Sequence, residues 1–180
     1  MKKLPVMLCL APLVLYAQTS VVVERFDKLY GEARIAGALD SSVVAEFDVA
    51  LDSLRTADGI VLDLRELKAP TDSDAAQHEY LNMILGRLIS RGMELQPSGI
   101  AARGEWQYSD PVVILCDSIW ANEPLTTAFA KSRDYGERIL SGSEDKARER
   151  VKLLVRRKEL MDQDRMQRMY EPISPQPTQR

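Results

Sequence analysis

Two short apolar runs constrain this chain more than any other feature. They are "GIVLDL" at residues 59–64 and "PVVILC" at residues 111–116. Both are apolar at successive positions and rich in Val and Ile, so each reads as a strand buried on both faces. Such strands belong to sheets covered by helices, and the flanking segments supply them. In "LDSSVVAEFDVALDSLRT", Val43, Val44, Phe47, Leu51 and Leu54 recur at helical spacing, and Asp40 or Ser41 can cap the start. In "AAQHEYLNMILGRLISR", Leu81, Ile84, Leu85 and Leu88 form one stripe. A further apolar helix follows the second run. Residues 21 to 36 carry β-branched and aromatic residues, with Gly31 as the break between two strands. This alternation predicts an α/β domain with right-handed crossovers and a mainly parallel sheet.

The remaining segments are less regular. Pro70 and the Thr-Asp-Ser-Asp cluster read as a loop ending in a helix cap. Residues 93 to 109 hold two glycines and Pro97, which predicts an irregular connection or an edge hairpin. "ERILSG" reads as another strand. Residues 143 to 170 read as a long charged helix. Its stripe of Ala147, Val151, Leu154 and Met161 is interrupted by Lys158 and Arg165. The tail, residues 171 to 180, has three prolines in polar company and reads as disordered.

The 180 residues suffice for one domain with a core. A net charge of −3 argues against a nucleic-acid binder. The opening stretch, with Lys2 and Lys3 before the apolar run Leu4 to Ala17, has the pattern of a signal peptide. The expected product is an exported, periplasmic or extracellular domain spanning residues 18 to 142, followed by the charged helix. Cys116 is then the one cysteine left, so no internal disulfide is expected.

"FDVALDSLRTADGIVLDLRE" followed by "YSDPVVILCDSIWANEPLTTAFAKSRDYGERILSG" resembles the tail-specific, or C-terminal-processing, serine protease family. The resemblance rests on Asp63-Leu64-Arg65 ending a strand, on Pro111 to Val113 opening a later one, on the elbow that follows it, and on Tyr135, Gly136 and Gly142. It implies the crotonase-like fold shared with the Clp proteolytic subunit. It also implies a serine nucleophile in the elbow Trp120, Ala121, Asn122, Glu123, and a lysine base near Lys146. The chain departs from that pattern where the chemistry sits. The family's glycine loop after Asp-Leu-Arg is replaced by Glu66, Leu67, Lys68, Ala69 and Pro70. Pro70 has no N–H to offer an oxyanion. Alignment through the elbow places Trp120 or Glu123 where the serine belongs.

Three readings stay open. One is a catalytically degenerate relative that binds a peptide or protein, with Trp120 as an exposed anchor. Another is a working peptidase that uses Ser118 and Lys146. The last is an unrelated exported α/β domain. Asp63 and Arg65 are expected to fix a loop as an ion pair. Cys116 with the lone His78 is a weaker nucleophile–base candidate, and Ser141 and Ser143 read as turn and cap residues. No cofactor is expected. One histidine and one mature cysteine are too few for a zinc site. The basic residues from Lys146 to Lys158 suggest contact with an anionic membrane surface or an acidic partner, or simply a solvated helix packed on the sheet.

Overall fold

The computed structural model describes residues 20–68, 75–89, 94–95, 100–101, 110–122, 124–132 and 142–170. The chain opens with a hairpin, β1 (Ser20–Phe26) and β2 (Tyr30–Ala36), and continues into α1 (Ser41–Leu54) and β3 (Gly59–Asp63). Next come α2 (Ala75–Arg87), the two-residue strands β4 (Glu94–Leu95) and β5 (Ile100–Ala101), and β6 (Val112–Leu115). The last elements are α3 (Ser118–Ala121), α4 (Pro124–Ser132) and α5 (Glu144–Tyr170). The main sheet has the order β1-β2-β3-β6, and β4 pairs with β5 in a separate ribbon. β1 lies antiparallel to β2, whereas β2, β3 and β6 are parallel.

This mixed four-stranded sheet corrects the crotonase- and Clp-type expectation. Strand, breaker and helix follow one another in any βαβ chain, so the motif order that suggested the protease fold does not single it out. Here the strand order advances in one direction, and the helices of both crossovers, α1 and α2, share one core with α3 and α4. That arrangement is what crossovers of constant hand produce. The opposite face of the sheet is covered by α5.

Local chemistry accounts for the elements. Asp40 caps α1, its carboxylate accepting from the backbone N–H of Ser42 at 2.8 Å and of Val43 at 3.1 Å. A cap of this kind contributes ~1 kcal/mol. Val43, Phe47, Leu51 and Leu54 are buried, as the periodicity predicts. On β3, Ile60 and Leu62 enter the large core while Val61 faces α5. On β6, Val112 and Ile114 face the large core while Val113 and Leu115 face α5. Successive side chains therefore alternate between two buried faces, which explains the uninterrupted apolar runs.

The hairpin turn is not at Gly31. Phe26 pairs with Tyr30, and Asp27 and Lys28 carry positive φ of 50° and 63°. Asp tolerates that conformation better than most residues. Gly31 lies inside β2, where an added Cβ would stand 2.5 Å from Leu54 Cδ2, so its role is to let α1 approach. Of "ERILSG", only Gly142 falls among the described residues, and it lies in a bend. The leader pattern and the tail lie outside them.

α5 runs opposite to the parallel strands. Glu144 lies beside Arg34, which pairs with the C-terminal end of β3. Val151 and Val155 lie against Gly59 at the strand's other end, and Lys158 pairs with Asp110 ahead of β6. A Cβ on Gly59 would meet Val151 Cγ2 at 2.7 Å and Val155 Cγ2 at 2.9 Å, so glycine sets how closely the helix lies. Ala147, Val151, Leu154 and Val155 are buried. Beyond Lys158 every side chain of α5 whose burial is described is exposed. The interruption of the stripe at Lys158 marks where the helix leaves the sheet.

Candidate functional site

The densest polar cluster lies between α5 and the sheet. Small and apolar residues occupy Gly31, Ala33 and Ile35 of β2, so pleating turns Glu32 and Arg34 to the α5 face. Register places Arg34 beside Asp63. Asp63 is fully buried and Glu32 is 1% exposed. The Arg65 guanidinium grips Asp63 with two bonds, Nε to Oδ1 at 2.9 Å and Nη2 to Oδ2 at 2.7 Å, and the Arg65 backbone N–H adds a third at 3.0 Å. Arg34 donates to Asp63 at 3.2 Å, to Glu32 at 3.0 Å and to Glu144 at 2.8 Å. From α5, Arg148 reaches Glu32 at 2.9 Å and Glu144 at 2.6 Å. Burial pushes the Asp63 carboxyl up, but the Arg65 hydrogen bonds and the Arg65 and Arg34 charges outweigh it and hold it below the usual carboxylate range.

Carboxylate oxygens of Glu32, Asp63 and Glu144 lie within 4.8 Å of one another, a spacing that fits a cation. Three guanidinium groups already face these three carboxylates, which leaves no net negative charge to draw a metal ion. The arrangement fastens elements together and carries no reacting group. Asp63 and Arg65 were foreseeable members of the network. Glu32, Arg34, Glu144 and Arg148 were not, although the alternation around Glu32 and Arg34 and the i,i+4 spacing of Glu144 and Arg148 are visible signals.

The elbow is a packed turn. Asp117 caps α3, accepting from the N–H of Ile119 at 3.0 Å and of Trp120 at 3.1 Å. Trp120, expected as an exposed anchor, is 0% exposed and lies in the large core. Its indole N–H donates to the Leu67 carbonyl at 3.4 Å. The Thr126 hydroxyl donates to the Trp120 carbonyl at 2.5 Å. Ala121 is half-buried, and Asn122 closes α3 with its side-chain amide on the Ser118 carbonyl at 2.8 Å. Glu123 lies outside the described residues. Pro124 opens α4, where its missing N–H is harmless.

Ser118 is the exposed first residue of α3. Lys146 is exposed on α5, which covers the opposite face of the sheet from the core that holds Trp120. No hydrogen bond joins Ser118 to Lys146 among the described residues. Where a protease would hold its oxyanion loop, the chain after Asp63 is bridged to the end of β2. The Gly37 N–H donates to Glu66 O at 3.0 Å, and the Lys68 N–H to Gly37 O at 2.8 Å. These amides are engaged by backbone and cannot receive an oxyanion. Cys116 is 1% exposed; burial first, then Asp117 and Asp63, pushes its thiol up to about 12, the opposite of an activated nucleophile.

No family model matches the chain, that of the tail-specific proteases included, and no curated protein matches it. Among solved structures the chain is similar to the anti-sigma factor antagonist SpoIIAA in its unphosphorylated form. The two share 16% identity at a TM-score of 0.43, over 74% of this chain and 98% of that one. The four-stranded mixed sheet, the buried elbow and the engaged amides after Asp63 overturn the protease resemblance, and with it both the degenerate and the working peptidase readings. The residues that suggested it serve packing and ion pairing.

Proposed function

We propose that this domain is a non-enzymatic protein-binding module whose contact element is the second half of α5. The observation that carries the reading is the exposure of Leu160 at 66%, Met161 at 45%, Met166 at 49% and Met169 at 65% on a stretch where no described side chain is buried. Met is a flexible, polarisable residue that suits contact with an apolar protein surface. A helix of this length, free of tertiary packing, is marginal in water, so a partner surface would stabilise it.

Two further features support binding over catalysis. The strand order does not reverse among the described strands, so the crevice that open α/β sheets use for ligands is not formed there. The carboxylates nearest the sheet are held by arginines. Contact with an anionic membrane gains little support, because three of the basic residues that suggested it are tied to the domain's own carboxylates. Arg148 pairs with Glu32, Lys152 with Asp27, and Lys158 with Asp110. No described helix is long and apolar enough to cross a membrane. The leader pattern of residues 1 to 17 supports export of the module.

The test is site-specific photo-crosslinking in cells. A photoreactive residue at Leu160 or Met169 is expected to give one discrete heavier adduct, identified by mass spectrometry. The same residue at Val49, which is 73% exposed on α1, should give none. Absence of an adduct at both α5 positions, or an equal adduct at Val49, overturns the reading.

A further inference from the structure

The two faces of the sheet are covered by different means. On one side α1, α2, α3 and α4 contribute Phe47, Leu54, Leu81, Leu85, Trp120 and Phe129 to a single large core. On the other, a helix of 27 residues contributes Ala147, Val151, Leu154 and Val155. Ion pairs do much of the rest of the fastening, and they divide in an unusual way. Glu32, Arg34, Asp63 and Arg65 belong to the sheet side, and within that set Arg34 already bonds Glu32 and Asp63 while Arg65 bonds Asp63. Glu144 and Arg148 belong to α5 and bond each other at 2.6 Å. A cut through this network thus leaves two neutral sets, each internally paired; outside it the cut also parts Arg148 from Glu24 and Lys158 from Asp110, pairs whose side chains already meet water. Elsewhere on α5, Lys152 keeps Glu149 at 2.9 Å when it gives up Asp27.

Breaking a buried ion pair is normally opposed because it strands a charge. Here the sheet side keeps its arginines and the helix keeps its own partner. We propose that α5 is a detachable cover, which leaves the sheet as one unit while the layer of α1 to α4 stays folded, and which uncovers the apolar strip Phe26, Val61, Val113 and Leu115. Elements held by few apolar contacts are the ones that open below the global unfolding threshold. The inference concerns how α5 is held and does not depend on what its second half binds.

Native-state hydrogen exchange of the full chain tests it. The amides of Val151, Leu154 and Val155 are expected to exchange at least tenfold faster than those of Phe47 in α1 and Leu85 in α2. Gly59→Ala, which places a methyl against Val151 and Val155, should raise the α5 rates a further tenfold and leave those of α1 and α2 unchanged. A single common rate for all three helices in the unaltered chain overturns the proposal, as does a joint acceleration in the variant. Val113→Cys supplies a second readout. Its thiol should react with a soluble alkylating reagent at the opening rate of α5, and reaction only at the rate of global unfolding overturns the proposal.

Discussion

Replacing Asp63 by Asn keeps the shape of the side chain and removes its charge. The buried carboxylate accepts two bonds from the Arg65 side chain, one from its backbone and one from Arg34. Removing one member of a buried ion pair costs about 3–5 kcal/mol. Arg34 and Arg65 remain about one-third exposed, at 31% and 33%, so water can take up part of their lost bonding. The expected loss is therefore at the low end, about 3 kcal/mol. For a domain of this size that lowers Tm by roughly 6–12 °C. Urea unfolding at pH 7 measures it, and a loss under about 1 kcal/mol refutes the assignment of Asp63 as the anchor of the network. The pH dependence gives a separate check. The folded-state pKa of Asp63 lies below its unfolded value. Its stabilisation is thus complete above about pH 4, the unfolded value, and is lost as the pH falls through the lower folded value. The stability gap between parent and Asp63→Asn should narrow over that acid range. A gap that stays constant down to the acid limit of folding shows that the ionised form is not the source.

Two other outcomes follow from burial. Trp120→Ala should destabilise by about 3–5 kcal/mol, because the indole is fully buried, whereas an exposed anchor would change stability by no more than roughly 0.5 kcal/mol; denaturant melts decide between them. Cys116 should resist a thiol reagent at pH 8 in the native protein and react at once in guanidinium, and rapid native labelling would refute the raised thiol pKa and the burial behind it.

The parts of the fold that could be read in advance are those fixed by near neighbours. α1 and α2 follow from the spacing of Val43, Phe47, Leu51, Leu81 and Leu85, and the strands at residues 59–63 and 112–115 from apolar runs that two helical layers require. The turn of the first hairpin was hidden because Gly31 looked like punctuation, when Leu54 on the packed helix is what demands a glycine there. The ion network was hidden for a different reason. Glu32 and Glu144 are far apart in the chain, and only strand register and the docking of α5 bring them together. Charged residues on alternate strand positions also look like a solvent face until a helix is known to cover them. The protease resemblance failed through the same lack of context. Asp63-Leu64-Arg65 at a strand end can hold a loop by an ion pair as readily as it can precede a catalytic loop, and the bridge between Gly37 and Leu67 is not written in either segment alone.

The direction of α5 has a geometric consequence. The stretch from Glu159 to Tyr170 reaches roughly 18 Å beyond its last tie to the body of the domain. It does so past the starting ends of the parallel strands, on the side away from the loops that carry Asp117 and Lys68. Anything that grips this boom is therefore held at the opposite end of the parallel strands from those loops.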